Sequence, residues 1–261
     1  MKPNGDKHWN KVWIIGASTG IGRELALAIA PKSTGVWISA RNEIKLQEVA
    51  SSVPNMFVIP LDITQSQQLV DAAQEIEQSE PSDSAIDLVV ISSAVGLMSK
   101  LPRIDLEQYR QSIETNYMGT VNAISAVLPA MVACGRGHIA LIASVAGYRG
   151  LPNGAPYAPT KAALISLAEC SRPSLQRLGI TVSVINPGFV ETPMTAQNKF
   201  PMPFLMKSNE AARRIIRGLE KRQYEIAFPK RMVYLLKLLR FLPNNAFFLL
   251  ADRWMLGKKQ R

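Results

Sequence analysis

Short runs of consecutive apolar residues alternate along this chain with longer stretches of helical composition. The first run, Val12-Trp13-Ile14-Ile15-Gly16, ends in glycine; others follow at Gly35–Ser39, Met56–Pro60, Ile86–Ile91, His138–Ala143 and Ile180–Ile185. Runs this short, apolar at successive positions, predict strands buried on both faces. Helices are predicted between them over Arg23–Ala30, Glu43–Val53, Ser66–Gln78, Leu106–Cys134 with a break near Pro129, and Ala155–Leu178. A last short strand is predicted at Glu225–Phe228. Strand and helix alternate with no Pro- or Gly-rich linker, which implies a parallel sheet covered by helices on both faces. The expected fold is a single doubly wound, Rossmann-type α/β domain over residues 1–228, followed by an extension over 229–261.

The extension breaks the pattern. From Phe228 to the end, Lys230, Arg231, Lys237, Arg240, Arg253, Lys258, Lys259 and Arg261 face a single acid, Asp252, so much of the chain's net charge of +10 sits here. Arg231, Tyr234, Lys237 and Arg240 recur every three residues as a polar stripe, with Met232, Leu235, Leu236, Leu239 and Leu242 opposite. Phe247, Leu250, Ala251 and Trp254 repeat the amphipathic pattern after Pro243. Three readings remain open: an interfacial membrane helix pair, a subunit contact, or a flap over a pocket. Met232–Leu250 is the nearest approach to a membrane span, but Lys237, Arg240, Pro243, Asn244 and Asn245 interrupt it. No nucleic-acid-binding signature accompanies the charge, so nucleic acid is not an expected partner. With only Cys134 and Cys170 as cysteines and two histidines, neither a disulfide framework nor a metal site is expected. A cytoplasmic protein is expected; on the first of the three readings, residues 229–261 would make peripheral contact at the inner face of a membrane.

The turn out of the first strand carries candidate chemistry. Gly16-Ala17-Ser18-Thr19-Gly20-Ile21-Gly22 stands where strand passes into helix, a position at which glycines admit close backbone approach to a pyrophosphate. After the second strand comes Ser39-Ala40-Arg41-Asn42. There is no carboxylate to accept from ribose hydroxyls, and the Arg41 guanidinium suits a 2′-phosphate, so NADP(H) is expected in preference to NAD(H). Asp62 follows the third strand, either accepting from an adenine amino group or capping the helix that begins near Thr64.

Tyr157 and Lys161 stand one helical turn apart, with Ser144 thirteen residues upstream. A phenol has an ordinary pKa near 10, and a neighbouring ammonium favours its ionised form. A serine beside it is placed to hold a carbonyl oxygen. Taken alone, a tyrosine and a lysine four apart are common.

Together these features resemble the short-chain dehydrogenase/reductase superfamily, over Val12 to about Phe228. The resemblance extends to Asn116-Tyr117-Met118-Gly119 and to Asn186-Pro187-Gly188-Phe189-Val190-Glu191-Thr192. It implies Tyr157 as general acid in carbonyl reduction and base in alcohol oxidation, and Ser144 as the group polarising the substrate oxygen. Lys161 would lower the pKa of Tyr157 and bind the nicotinamide ribose, and Asn116 would hold a water feeding protons to Lys161. It also assigns cofactor contacts to Gly16, Ser18, Thr19, Gly20, Ile21, Gly22, Asp62, Ile63, Ser93, Ala94, Pro187, Gly188, Val190 and Thr192. A homodimer or homotetramer is implied by the same likeness. Two departures stand out: Ser92-Ser93-Ala94-Val95 replaces the usual Asn-Asn-Ala-Gly, and Ile15 replaces the threonine usual before Gly16.

The segment Pro193–Met206 is rich in Met, Phe and Pro and reads as an apolar lid, with Leu97, Met98, Val145, Tyr148 and Leu151 as further apolar walls. A lipophilic ketone, aldehyde or secondary alcohol is the expected substrate. The competing reading is a catalytically silent nucleotide-binding protein of the same fold, suggested by Ser92–Val95.

Overall fold

The apolar runs become the strands of one parallel sheet. In the computed structural model, which describes residues 8–80, 85–99, 101–198 and 200–253, these are β1 (Trp9–Ile15), β2 (Ser33–Ser39), β3 (Met56–Val58), β4 (Leu88–Ile91), β5 (Gly137–Ile142), β6 (Ile180–Pro187) and β7 (Glu225–Phe228). They lie in the order β3-β2-β1-β4-β5-β6-β7, parallel throughout, with Trp13 opposite Trp37 on one side and Val89 on the other. The order reverses between β1 and β4, and in such sheets the carboxyl ends beside that reversal form a ligand crevice. Expectations placed on Met1–Lys7, Lys199 and Trp254–Arg261 lie outside the described residues.

Successive side chains point to opposite faces of a strand, so the sheet feeds two cores. Val12, Ile14, Val36 and Ile38 pack beneath α1 (Gly20–Ile29), α2 (Glu43–Ala50) and α8 (Ser208–Glu220). Trp13, Ile15, Val89 and Leu141 pack beneath α3 (Ser66–Gln78), α5 (Gly119–Cys134) and α6 (Ala158–Arg177). Both faces are buried, which is why the strands read as unbroken apolar runs.

Three expectations need correction. The helix over Leu106–Cys134 does not break near Pro129, which sits inside α5. Pro129 and Ser125, whose carbonyl loses its partner to the proline ring, are both exposed, where water can take that carbonyl. The irregularity lies earlier: α4 (Leu106–Ser112) passes through a π-helical turn, Ile113–Met118, into α5. By length and composition Leu106–Cys134 also fits a membrane span better than Met232–Leu250 does. Its Ala123, Val127 and Met131 nevertheless pack in the core with β5 and α3.

The third correction concerns the extension. α9 (Lys230–Arg240) turns Met232, Val233 and Leu236 inward onto Val145, Tyr148 and Ala227. Leu235, expected on the apolar face, points out at 54% exposure, and Lys237, expected in the outer stripe, pairs with Glu225. The half-buried Glu225 carboxylate at the start of β7 draws the lysine in and rotates the helix from its predicted setting. Arg149 then holds the corner between α9 and α10 (Asn244–Ala251). Its guanidinium donates to the carbonyls of Leu239, Arg240 and Leu242 at 3.1, 2.9 and 3.2 Å and to Asn244 Oδ1 at 3.0 Å. It also stacks 4.1 Å over the Phe247 ring.

Candidate active site

At the carboxyl ends of β1 and β4 the chain leaves the sheet and opens a cleft of about 310 Å³. Gly16 makes the first turn at φ +95°. A Cβ there would lie 2.7 Å from the Ser92 carbonyl carbon and 2.8 Å from Ser93 Cα, so the turn out of β1 requires glycine on both grounds. At Gly20 a Cβ would sit 2.9 Å from Thr192 Cγ2. Thr19, the N-cap of α1, makes no side-chain cap bond, and the helix start, with Gly20 and Ile21, faces the cleft. Close backbone and open first-turn N–H groups fit a pyrophosphate.

The end of the cleft expected to take adenosine is formed by the ends of β2 and β3. Arg41 lines the cleft, is exposed, and makes no hydrogen bond or ion pair among the described residues. Its neighbour Asn42 is taken up capping α2, its Oδ1 accepting from Lys45 N at 2.9 Å. Asp62 also lines the cleft, and its reading as the cap of the following helix needs correction. Its Oδ1 accepts from Thr64 N and Thr64 Oγ1, both at 2.9 Å, which builds a turn two residues ahead of the helix. The N-cap of α3 is Gln65, so Asp62 shapes the turn that presents Ile63 without capping the helix.

The candidate reacting groups come from the end of β5 and the start of α6. Ser144 follows β5; its Oγ accepts from Ala146 N at 3.1 Å and donates to Pro187 O at 3.4 Å. Tyr157 is the N-cap of α6, and Lys161 lies on the first turn. Lys161 is 2% exposed, and its Nζ donates to Ile142 O at 2.8 Å while lying 5.6 Å from the Tyr157 ring centroid. Burial governs both groups: it pushes Tyr157 up to about 12, partly offset by a hydrogen bond with Ser144, and draws Lys161 down to about 7. The expectation that Lys161 lowers the tyrosine pKa is thus not met by the protein atoms alone. Deep burial works against the charged form of each group.

Asn116 sits in the π turn, fully buried. Its Nδ2 donates to Val95 O at 3.1 Å and Thr160 Oγ1 at 3.0 Å, while its Oδ1 accepts from Val95 N at 2.8 Å. Both side-chain donors are spent on protein atoms, so the side chain pins the loop after β4 to α6. It does not itself line the cleft; Thr115 does. Val95, which departs from the familiar sequence, is held by its backbone through this clamp.

Ser18, Thr19, Ser93, Ala94, Pro187, Gly188, Val190 and Thr192 all line the cleft, whereas Gly22 supports it from behind, against the Gly16 backbone. The segment expected as a lid begins at α7 (Pro193–Ala196), whose cap pairs Thr192 with Thr195. Its base closes where Val190 bridges Met206. Met194 lies over Gly96, where an added Cβ would meet its Sδ at 2.7 Å. Of the other expected walls, Val145 and Tyr148 belong to the buried cluster under α9, because α9 covers the far side of their loop. Leu97, Met98 and Leu151 do not line the cleft either, nor does any described residue of α9 or α10, although Met232 of α9 backs the cleft-lining Gly188. Sequence reasoning missed Thr115, Asn42 and Thr160, which carry no motif of their own and are identified by their partners in space.

A glycine cradle, a phosphate-matching guanidinium and a Ser–Tyr–Lys cluster share one cleft, an arrangement suited to holding a dinucleotide beside a carbonyl or alcohol. The sequence profile described as "short chain dehydrogenase" matches residues 10–201. An uncharacterized oxidoreductase of Myxococcus xanthus is 36% identical over 245 residues, covering 92% of this chain and 95% of that protein. Two solved structures share the fold. A short-chain dehydrogenase from Streptomyces avermitilis has a TM-score of 0.79 at 23% identity, over 93% of this chain and 95% of the other. One from Burkholderia cenocepacia, in complex with NADP, has a TM-score of 0.79 at 24% identity, over 94% and 98%.

Proposed function

The chain belongs to the short-chain dehydrogenases, oxidoreductases that work with NAD or NADP, and from that premise we propose that it passes a hydride between NADP(H) and a lipophilic carbonyl or secondary alcohol. The observation that carries the reading is the convergence of Ser144, Tyr157 and Lys161 on the cleft that Gly16 and Gly20 open. The residues fit the cofactor on two counts: the space a Cβ would fill at Gly16, and a donor set matched to phosphates.

Gly16, Thr19, Gly20 and Ile21 would hold the pyrophosphate, Arg41 the 2′-phosphate, and Pro187, Gly188, Val190 and Thr192 the nicotinamide end. The nicotinamide supplies the hydride. Ser144 would donate to the substrate oxygen, and Tyr157 would deliver its phenolic proton to that oxygen as charge develops there. An ammonium at Lys161 would stabilise the phenolate left behind. The lid residues Pro193 and Met194, with Val190 and Val95, offer apolar surface that would exclude water and favour a greasy substrate.

The test is a panel of lipophilic ketones and aldehydes with NADPH, followed at the cofactor absorbance. Turnover is expected for at least one; tight NADPH binding without turnover of any would instead favour a silent nucleotide-binding protein. Arg41→Ala is expected to weaken NADPH about 10- to 100-fold, the scale of a charge-assisted contact, with NADH little changed. Equal losses for both cofactors would remove Arg41 from phosphate recognition.

A further inference from the structure

We propose that α9 and α10 form a docking face for an anionic lipid surface. α9 is apolar on both sides. Met232, Val233 and Leu236 fill the inward face, yet Tyr234, Leu238 and Phe241 point outward at 66, 66 and 84% exposure. These three and Arg231 lie on one stripe at helical spacing. In α10, Phe247 and Ala251 turn inward while Phe248 and Leu249 stand out at 61 and 71%. A water-facing helix ordinarily places polar residues on its outer side, and a contiguous exposed apolar patch marks an interaction surface.

The exposure is built in. Arg149 ties the end of α9 to the start of α10 through three carbonyls, the Asn244 side chain and the Phe247 ring, so the outer side chains cannot fold under. The charge selects the occupant. Lys230, Arg231, Arg240 and Arg253 make no ion pair among the described residues, whereas Lys237 is committed to Glu225. Cations around exposed Leu and Phe match an anionic interface, where headgroups take the charge and the acyl boundary takes the rings. A second copy seated two-fold on this face would set like charges against each other.

The face also adjoins the lid. The cluster beneath α9 extends to Phe189, whose ring meets that of Phe200 at 5.9 Å. Lipid docking would therefore bring the segment that closes over the cleft close to the bilayer surface. The proposal stands on the exposed helices and does not need the substrate reading.

The experiment is co-sedimentation of the full chain with vesicles of mixed phosphatidylglycerol and phosphatidylcholine, against pure phosphatidylcholine. Binding is expected on the anionic vesicles, at least tenfold above the zwitterionic ones, and is expected to fall when salt is raised to about 0.5 M. Phe241→Ser with Leu249→Ser should lose it tenfold while NADPH binding and melting temperature persist. Arg231→Glu with Arg240→Glu, a purely surface change, should erase the preference for anionic lipid. Three results would overturn the proposal: no binding, equal binding to both vesicles, or a solution dimer that Phe241→Ser splits, which would make the face a contact between copies. Vesicle binding that appears only after deletion of residues 254–261 would also overturn it, identifying that segment as the cover. Carbonyl turnover is read separately, so failure here leaves the oxidoreductase reading untouched.

Discussion

Lys161 is an amine buried to 2% exposure, with one carbonyl, Ile142 O, accepting from it. Its pKa falls to about 7, so at pH 8 most of the free protein carries it neutral. Phosphates and ribose hydroxyls arriving with NADPH favour the ammonium and raise that pKa, so binding at pH 8 should take up a proton. Titration calorimetry in buffers of different ionisation enthalpy should show an uptake approaching one proton, absent in Lys161→Met; equal uptake in both would assign the proton elsewhere. At this scale the sequence singled out Ser144, Tyr157 and Lys161, which the fold brings to one cleft, and missed their surroundings. Tyr157, Lys161 and Ser144 were legible because their spacing is local. Asn116 was legible as a residue, but its partners Val95 and Thr160 lie far along the chain, and only the fold shows that they occupy its amide. Tyr148 was read as a pocket wall, yet its hydroxyl donates to Glu225 Oε1 at 2.6 Å, beneath a helix whose rotation the periodicity did not predict.

Elements were read well wherever burial on both faces left a continuous signal. α3 and β7 have the predicted limits; β1 begins three residues before its apolar run, and the other strands lie within two residues of theirs. Pro129 misled because the rule against helical proline is about an unpartnered carbonyl, and on an exposed face water supplies the partner. The setting of α9 was illegible for a different reason. The periodicity put Leu235 on the inward face and Lys237 on the outer stripe, whereas the structure buries Val233 and pairs Lys237 with Glu225, a partner far from it in the pattern. Arg149 carried no sequence signal at all, although it joins two helices to the loop after Ser144. Arg149→Ala should loosen α9 and α10 without unfolding the sheet. Hydrogen exchange should rise at least tenfold in residues 230–251, the scale of losing one or two charged hydrogen bonds, while β1, β4 and β5 keep their protection. Unchanged exchange in both helices would show that the apolar cluster alone secures them.

For the whole molecule, the parallel doubly wound architecture followed from alternation alone, and the strand order places its reversal between β1 and β4, where the cleft opens. The cleft joins segments from Gly16 to Thr195, so a ligand that fills it ties both halves of the sheet together. NADPH at about a hundred times its Kd should add about 2.7 kcal/mol to stability, or roughly 5–10 °C in Tm for a chain of this size. NADH at the same concentration should give a smaller shift, and an equal or larger one would contradict the preference assigned to Arg41. On the proposed reading, apolar surface on Pro193–Met206 and on α9 and α10 would carry this picture outward, from a cleft for lipophilic carbonyls to a face for the phase in which they dissolve.

The central claim is that the Tyr157 phenol carries the proton in a hydride transfer made within this cleft. It is tested most directly by comparing kcat for NADPH-dependent reduction of a lipophilic carbonyl in the wild type and in Tyr157→Phe, with NADPH affinity measured in both. A fall in kcat of about 10²- to 10⁴-fold with NADPH affinity unchanged is the expected result; turnover near the wild-type rate in Tyr157→Phe would contradict it.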